Sequence, residues 1–171
     1  ADVAGVTVTA VGSRYTMTLP DTLKLNLSEL YQYKVDYYGS KYSIAIDAAY
    51  ASEKFATEFT YTGKDLGATY TREKTTFKVW APTAKAVSVK LYVSGTAGTD
   101  DLKDTVAMTA DVNGTWVATV SGDLNGTYYT YLVNVDGEDV EAVDPYARTT
   151  GVNGQRGMVI DLTSTNPSGW A

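Results

Sequence analysis

Carboxylates are the side chains of this sequence best able to do acid–base chemistry. The 171 residues include 20 Asp and Glu but no His and no Cys, which excludes an imidazole base, a thiolate nucleophile, a disulfide and a cysteine zinc cluster. A glycosidase needs two carboxylates held roughly 5 to 9.5 Å apart across a sugar. Most acidic residues here lie beside Gly and Asn in turn-like segments. We therefore expect turn caps and solvent-facing groups rather than a catalytic pair.

The densest group of carboxylates is a run of five within nine residues, which raises the question of calcium ligation. Its members are Asp136, Glu138, Asp139, Glu141 and Asp144. The run lacks the alternating Asp and Asn ligands and the closing Glu of an EF-hand loop. We favour a solvated turn leading into Asp144, with calcium as the alternative, and predict no metal and no cofactor.

Tyrosines are the candidates for sugar binding, because aromatic rings stack on the apolar faces of sugars. The sequence has 14 of them. Successive strand residues face opposite sides, so Tyr129 and Tyr131 are expected in the core, whereas Tyr128 faces away and is a candidate sugar contact. Tyr37 and Tyr38 also point to opposite faces, so at most one is a core residue, and both are kept as candidates.

The elements that must position these residues are β-strands, since apolar and polar residues alternate with a period of two over most of the chain. The alternation predicts a hairpin through residues 12–13, a strand over 23–27 and a second hairpin around 39–40. Residues 47–60 are the best helix candidate. Further strands are predicted at 76–80, 87–93, 105–110, 115–120, 128–135 and 158–162.

Six or seven short strands at spacings near ten residues are typical of a β-sandwich. Asn-Gly and Asp-Gly pairs supply the turns between them. Trp80 and Trp116 lie within two of these strands, where core packing or half-burial accounts for them. The glycine-punctuated stretch 61–67 is the predicted boundary between a smaller β-rich domain and this sandwich.

Charge and hydropathy exclude two classes of partner. The net charge is −6, and no block of Lys and Arg forms a phosphate-neutralising face, so no nucleic acid partner is predicted. No apolar run approaches the roughly 20 residues of a membrane helix, so no membrane partner is predicted either. The many Tyr, Gly, Thr and Val residues are typical of extracellular β-rich modules, and a secreted or cell-surface monomer is expected.

Five collinear motifs carry a resemblance to a known family. They are LGATYT at residues 66–71, TFKVWAPTA at 76–84, GDLNGTYY at 122–129, AVDPYA at 142–147 and VNGQRG at 152–157. The series closely resembles the region before the catalytic barrel of bacterial type I pullulanases. The resemblance implies an immunoglobulin-like β-sandwich, a carbohydrate-binding module of family 48, over residues 63–163. It also implies a small β-rich domain over 1–62 and a linker over 164–171 toward a catalytic domain that the chain lacks.

What the resemblance implies for function is a non-catalytic part of a debranching enzyme of glycoside hydrolase family 13. Its partners would be α-glucan polysaccharides such as starch, glycogen or pullulan, and the catalytic barrel of the parent enzyme. The signature of that barrel is absent, so this chain is expected not to be an enzyme. The alternative is a structural accessory that packs on the barrel and has no glucan affinity of its own.

The site residues follow from the same resemblance. Glycogen-binding members carry one Trp in the loop after the second strand and another after a Val-Asp-Gly turn, and both are missing here, so Asn153 and Gln155 of the last loop become the polar candidates. The residues expected to face the catalytic domain are Asp144, Pro145, Tyr146, Val152, Asn153 and Arg156. Of these, Tyr146, Val152 and Arg156 are expected to be exposed in this chain, and a local salt bridge is the alternative role for Arg156.

Overall fold

The computed structural model describes residues 3–29, 32–34, 41–43, 47–98, 100–167 and 169. The chain separates into two compact units. The first comprises Ala1–Asn26 and Leu30–Thr60, and the second comprises Leu27–Glu29 and Tyr61–Ala171. The chain thus passes for the last time from the first unit to the second between residues 60 and 61.

The first unit begins with an antiparallel hairpin of β1 (Thr7–Val11) and β2 (Arg14–Thr18). Its turn contains Gly12 with a φ of 62°, a left-handed conformation that glycine adopts without steric cost. The hairpin predicted through residues 12–13 is therefore confirmed.

A second short pair of strands consists of β3 (Gln32–Lys34) and β4 (Lys41–Ser43), which run antiparallel. This pairing agrees with the hairpin predicted around residues 39–40, although the turn itself lies outside the described residues. Tyr37 and Tyr38, two of the candidate sugar contacts, also lie outside them.

The predicted helical stretch forms two helices, α1 (Asp47–Tyr50) and α2 (Glu53–Phe59). Ser52 separates them and caps α2, because its hydroxyl oxygen accepts a hydrogen bond of 3.1 Å from the backbone N–H of Phe55. The rings of Phe55 and Phe59 stack with centroids 5.3 Å apart. Short as it is, α2 is therefore held by a cap and an aromatic contact one turn apart.

The strand predicted over residues 23–27 is wrong. Residues 23–26 have no regular secondary structure and a turn begins at Leu27, and two backbone N–H groups of this stretch find partners outside any ladder. Leu23 N–H donates to the carbonyl of Pro20 at 3.0 Å, and Leu25 N–H donates to the carboxylate of Glu58 at 2.9 Å. The carboxylate of Glu58 thus accepts a backbone hydrogen bond that a neighbouring strand would accept in a sheet.

The second unit is a sandwich of two antiparallel sheets, which confirms the predicted all-β, immunoglobulin-like fold. One sheet has the strand order β5 (Gly67–Tyr70), β6 (Lys74–Trp80), β10 (Thr115–Ser121) and β9 (Thr109–Ala110). The other has the order β12 (Glu138–Ala142), β11 (Tyr128–Val135), β7 (Ala86–Tyr92) and β8 (Leu102–Ala107), with β13 (Gly157–Met158) also paired to β11.

Strand alternation builds the core of the sandwich from both sheets. Phe77 of β6 and Tyr129 of β11 are fully buried, and their ring centroids lie 5.0 Å apart in an edge-to-face contact. Tyr131 is buried beside Tyr129. The expectation that these two tyrosines are core residues is confirmed.

Three details of the sandwich differ from the predicted strands. The strand expected at 105–110 is divided at the buried Met108, so that β8 belongs to one sheet and β9 to the other. The strand expected at 158–162 is only the two-residue β13, and a 3-10 helix follows at Leu162–Thr165. The acidic run after residue 136 forms the edge strand β12 rather than a turn.

Candidate functional site

Two loops meet at one end of the five-stranded sheet, where β7 ends and β11 begins. Residues 94–98 follow β7, and residues 150–155 lead back to β13; together they are called the loop pair. The ring of Tyr128 packs over the first loop, because a Cβ atom added at Gly95 would lie only 2.6 Å from its Cε1. The structure therefore brings together three predicted contact residues, Tyr128, Asn153 and Gln155. Of these, Asn153 and Gln155 are exposed and Tyr128 is half-buried.

The two loops touch each other through their backbones. A Cβ atom added at Gly151 would lie 2.5 Å from both the Cα and the carbonyl oxygen of Gly95, so only glycine permits this approach. Val152 N–H donates to the carbonyl of Gly95 at 3.0 Å. Ala97 N–H donates to the side-chain oxygen of Gln155, also at 3.0 Å. The loop pair is thus a preformed surface whose two halves are hydrogen-bonded together.

Arg156 lies beneath the loop pair with only 4 % of its surface exposed. Its Nη1 donates to the carbonyl of Ser94 at 2.8 Å and lies 2.9 and 3.0 Å from the two carboxylate oxygens of Asp101. The guanidinium carbon is 3.6 Å from the ring centroid of Tyr92, a cation–π contact. One side chain therefore joins both loops to the end of β7.

A set of polar contacts continues from Tyr92 across the outer face of this sheet. The Tyr92 hydroxyl donates to Glu141 Oε1 at 2.5 Å, and the Thr130 hydroxyl donates to the same oxygen at 2.7 Å. Lys90 Nζ lies 2.6 Å from Glu141 Oε2. These groups on three neighbouring strands satisfy one another, so the sheet face itself offers few polar groups to a ligand.

The charges in this set hold each other in the ionised state. Burial raises the pKa of Glu141, but hydrogen bonds from Lys90, Tyr92 and Thr130 outweigh it, and the pKa lies below its ordinary value. The hydrogen bond with Glu141 raises the pKa of Lys90. Both groups therefore stay charged at neutral pH.

The rest of the acidic run has no geometry for a metal ion. Asn134 donates to Asp139 at 2.7 Å across the pair of strands, and Asp136 with Gly137 forms the tight turn, both with positive φ. Among the described residues, no group of three or more acidic side chains could hold a metal. Those residues also contain no helix long and apolar enough to cross a membrane.

Asp144 is an internal residue, with 2 % of its surface exposed. Its Oδ2 accepts a hydrogen bond of 2.7 Å from the Tyr129 hydroxyl and a longer one of 3.4 Å from Tyr131, while its Oδ1 accepts from Tyr146 N–H at 2.8 Å. Burial raises the pKa of Asp144, and these hydrogen bonds offset the rise only in part. Burial also raises the pKa of both tyrosines. Asp144 therefore fixes the turn that presents Tyr146.

The expected exposed surface of the 144–157 segment is correct for two residues of three. Tyr146 is 52 % and Val152 53 % exposed. The expectation that Arg156 is exposed is wrong, because its guanidinium is enclosed by Asp101 and Tyr92. Its salt bridge is made with Asp101, which lies between β7 and β8, and not with a carboxylate of its own segment.

The two tryptophans of the sandwich differ in burial. Trp116 is partly buried against the core, and its Nε1 donates to the carbonyl of Ala81 at 3.1 Å. Trp80 is 41 % exposed, and its Nε1 donates to the carbonyl of Asn113 at 3.0 Å. Neither lies in the loop pair.

Sequence reasoning did not find four residues that build the loop pair. They are Tyr92, Gly95, Asp101 and Gly151. Their contacts join positions from 55 to 64 residues apart in the chain, which no local pattern indicates. The signal available was the pair of glycines, since an isolated Gly beside a strand end marks a close backbone approach.

Comparison with known proteins assigns the sandwich to a family. Residues 65–147 match the family model of carbohydrate-binding module 48, the isoamylase N-terminal domain. Residues 65–147 are therefore a module of carbohydrate-binding module family 48. Over most of its length the chain corresponds to the N-terminal region of pullulanase-like proteins.

Individual pullulanases show how far this similarity extends. The pullulanase of Bacillus subtilis (strain 168) is 39 % identical over 122 residues, covering 71 % of this chain and 16 % of that protein. Pullulanase 1, chloroplastic, of Arabidopsis thaliana is 34 % identical over 120 residues, covering 66 % and 12 %. The chain therefore spans less than a fifth of either relative.

Solved structures extend the match into the first unit. Pullulanase from Anoxybacillus sp. LM18-11 superposes with a TM-score of 0.73 at 36 % identity, covering 95 % of this chain and 23 % of that one. Pullulanase from Paenibacillus barengoltzii, in complex with maltohexaose and α-cyclodextrin, gives a TM-score of 0.65 at 46 % identity over 70 % of this chain and 18 % of that one.

Proposed function

We propose that this chain is a non-catalytic, α-glucan-binding part of a pullulanase-type glycoside hydrolase of family 13. The observation that carries the proposal is the loop pair, a rigid surface on a module of family 48 that presents Tyr128, Asn153 and Gln155 together. A half-buried aromatic ring beside exposed amides is the combination that stacks on a sugar face and hydrogen-bonds its hydroxyls. Solved relatives in complex with maltohexaose, α-cyclodextrin and maltotriose support malto-oligosaccharides as the ligand class.

Isothermal titration with maltoheptaose tests this proposal. The chain should give a saturable heat, and the double substitution Asn153→Ala with Gln155→Ala should weaken the affinity at least several-fold, because both residues are exposed in the loop pair and Gln155 also holds the first loop at Ala97. The control is Thr119→Ala, an exposed position on β10 of the other sheet. A chain that is folded but gives no heat with maltoheptaose or with pullulan would overturn the proposal.

A second candidate function is docking on the catalytic domain of the parent enzyme. The supporting observation is that Tyr146 and Val152 expose more than half of their surface, while Asp144 and Pro145 hold the turn that carries Tyr146. Asn153, exposed beside Val152 in the chain, would contribute to the same docking role. In this role the module positions the catalytic domain and needs no glucan affinity of its own.

Docking is tested by adding the separately expressed catalytic domain. A specific interface should bury roughly 1,200 to 2,000 Å² and raise the melting temperature of the partner by linkage. Replacing Tyr146 and Val152 by Ser should abolish that rise, whereas Val140→Ser, an equally exposed valine on β12, should not. An unchanged rise in the double variant would exclude this surface.

We further propose that the protein acts outside the cell, or at its surface, as a monomer. The composition, rich in Tyr and Gly and typical of extracellular β-rich modules, supports this location. Fractionation of the source cells tests the location, and sedimentation of the pure chain tests the monomer. Retention in the cytoplasm, or a dimer at micromolar concentration, would contradict these proposals.

A further inference from the structure

The loop pair, whose second half contains a 3-10 helix at Val152–Gly154, is held together by several kinds of contact. Two backbones touch at Gly95 and Gly151, two hydrogen bonds cross from loop to loop, and a buried cation lies beneath. Arg156 contacts the first loop at Ser94, the carboxylate of Asp101 and the ring of Tyr92 at the end of β7.

The charge of Arg156 is balanced locally and is shielded from water. Asp101, whose side chain is 15 % exposed, is its ion-pair partner, and the same carboxylate accepts a hydrogen bond of 2.6 Å from Ser94 N–H. The carbonyl of Ser94 accepts from Arg156 at 2.8 Å. The start of the first loop is therefore held at both its N–H and its carbonyl by one ion pair.

Arg156 also fixes the second loop, which it directly follows in the chain. Its carbonyl accepts a hydrogen bond of 2.8 Å from Gly151 N–H, which closes the turn that contains Asn153 and Gln155. Its guanidinium stacks on Tyr92, which is itself held by Glu141. The stacking restricts rotation of the side chain, and a planar cation suits that position better than an ammonium.

We infer that Arg156, acting with Asp101, is the positioning residue of the glucan-binding surface: it orders the loop pair so that Tyr128, Asn153 and Gln155 face the ligand together. This inference rests on the proposed function. Ordering two loops before binding removes the cost of ordering them during binding, and binding groups need support from neighbours that lock their geometry. Arg156 itself is buried and does not contact the sugar.

Three substitutions test this inference by different routes. Arg156→Met removes the cation, Asp101→Asn keeps the shape of its partner but removes the charge, and Gly151→Ala forces the loops apart while leaving both charges in place. The matched control is Lys78→Met. Lys78 is a similarly enclosed cation with two carboxylate partners, Asp65 and Asp111, but it lies on the other sheet.

Two measurements on each folded variant separate positioning from stability. Titration with maltoheptaose should show about a tenfold loss of affinity for the three loop variants and no loss for Lys78→Met, even where the melting temperatures fall equally. Hydrogen exchange of the Ala97 amide, which donates to Gln155, should speed up in the loop variants without ligand. The backbone of β10 should exchange at the parent rate.

The outcomes distinguish this inference from the proposed function. If the parent binds maltoheptaose and the loop variants bind it equally well, the positioning role is wrong while the proposed function stands. If faster exchange at Ala97 is accompanied by unchanged affinity, the positioning role is likewise wrong. If the parent itself does not bind, the proposed function is overturned, and the inference with it. Should Arg156→Met fail to fold, Asp101→Asn and Gly151→Ala decide the question.

Discussion

At the scale of single residues, the sandwich contains a buried hydroxyl that its own fold leaves unused. The hydroxyl of Thr75 is buried without a hydrogen-bond partner among the described residues. Thr115 is also fully buried, but its hydroxyl donates to the carbonyl of Val112 at 2.6 Å. A buried hydroxyl without a partner costs free energy, while a paired one contributes to stability.

We predict opposite effects when these two threonines are replaced by valine. Thr75→Val should raise the free energy of unfolding by about 1 kcal/mol, because an unsatisfied hydroxyl becomes a methyl group of similar size. Thr115→Val should lower it by about 1 kcal/mol, because the buried hydrogen bond of its hydroxyl is lost, while the Val112 carbonyl keeps the bond from the backbone N–H of residue 115. Urea unfolding of both variants measures this. Destabilisation by Thr75→Val would show that its hydroxyl has a partner.

The sequence predicted the burial of some single residues but not of others. Tyr129 and Tyr131 were predictable as core residues, because strand alternation alone fixes their side. The buried pair of Arg156 and Asp101 was not, because its partners are 55 positions apart and an Arg in a polar loop is ordinarily exposed.

At the scale of elements, an ion-pair cluster holds the segment that enters the sandwich against β6. Lys78 Nζ lies 2.9 Å from Asp65 Oδ2 and 3.1 Å from Asp111 Oδ2. Hydrogen bonds from Tyr61 and then Lys78 lower the pKa of Asp65, and the hydrogen bond from Lys78 lowers that of Asp111. The cluster therefore stays ionised at neutral pH.

We predict that this cluster makes part of the stability of the sandwich dependent on acid. A carboxyl with a lowered folded pKa contributes stability above its unfolded pKa, here the ordinary 3.8, and loses it as pH falls through the folded value. The parent should therefore lose more stability than Lys78→Met between about pH 5 and pH 3. Unfolding curves at a series of pH values measure this, and parallel losses in the two proteins would contradict it.

Elements differ in how well the sequence indicated them. The central strands β6, β7, β10 and β11 follow the period of two, because one of their faces is buried. The edge strand β12 does not, because all five of its residues are exposed. Its run of acidic residues is a sequence pattern that also fits a solvated turn. Charged residues on an edge strand also discourage pairing with other chains.

At the scale of the whole molecule, the proposed non-catalytic role predicts that this chain does not cleave pullulan. It has no His, Asp144 is enclosed by tyrosines, and Glu141 is engaged by Lys90. We predict that the pure chain releases no reducing ends from pullulan above a buffer control. Activity that persists at constant specific activity through a second chromatography would contradict this.

The fold class and family were predictable over most of the chain because the sandwich motifs occur in order and close together. The function was predictable only as a class, since both stacking tryptophans that the family resemblance implies are absent and the loop pair, the surface proposed here, is assembled by long-range contacts. The loop pair therefore had to be seen in three dimensions before Tyr128, Asn153 and Gln155 could be placed on one surface.

The central claim, that the loop pair is the glucan-binding surface, is tested most directly by a nitrogen–proton NMR titration of the labelled chain with maltoheptaose. Saturable shifts should be confined to the amides of the loop pair, above all Ala97, Gly151, Asn153 and Gln155, and should yield one dissociation constant. The amides of β6 and β10 should not move. An absence of saturable shifts, or saturable shifts that map instead to the β1–β2 hairpin, would contradict this claim.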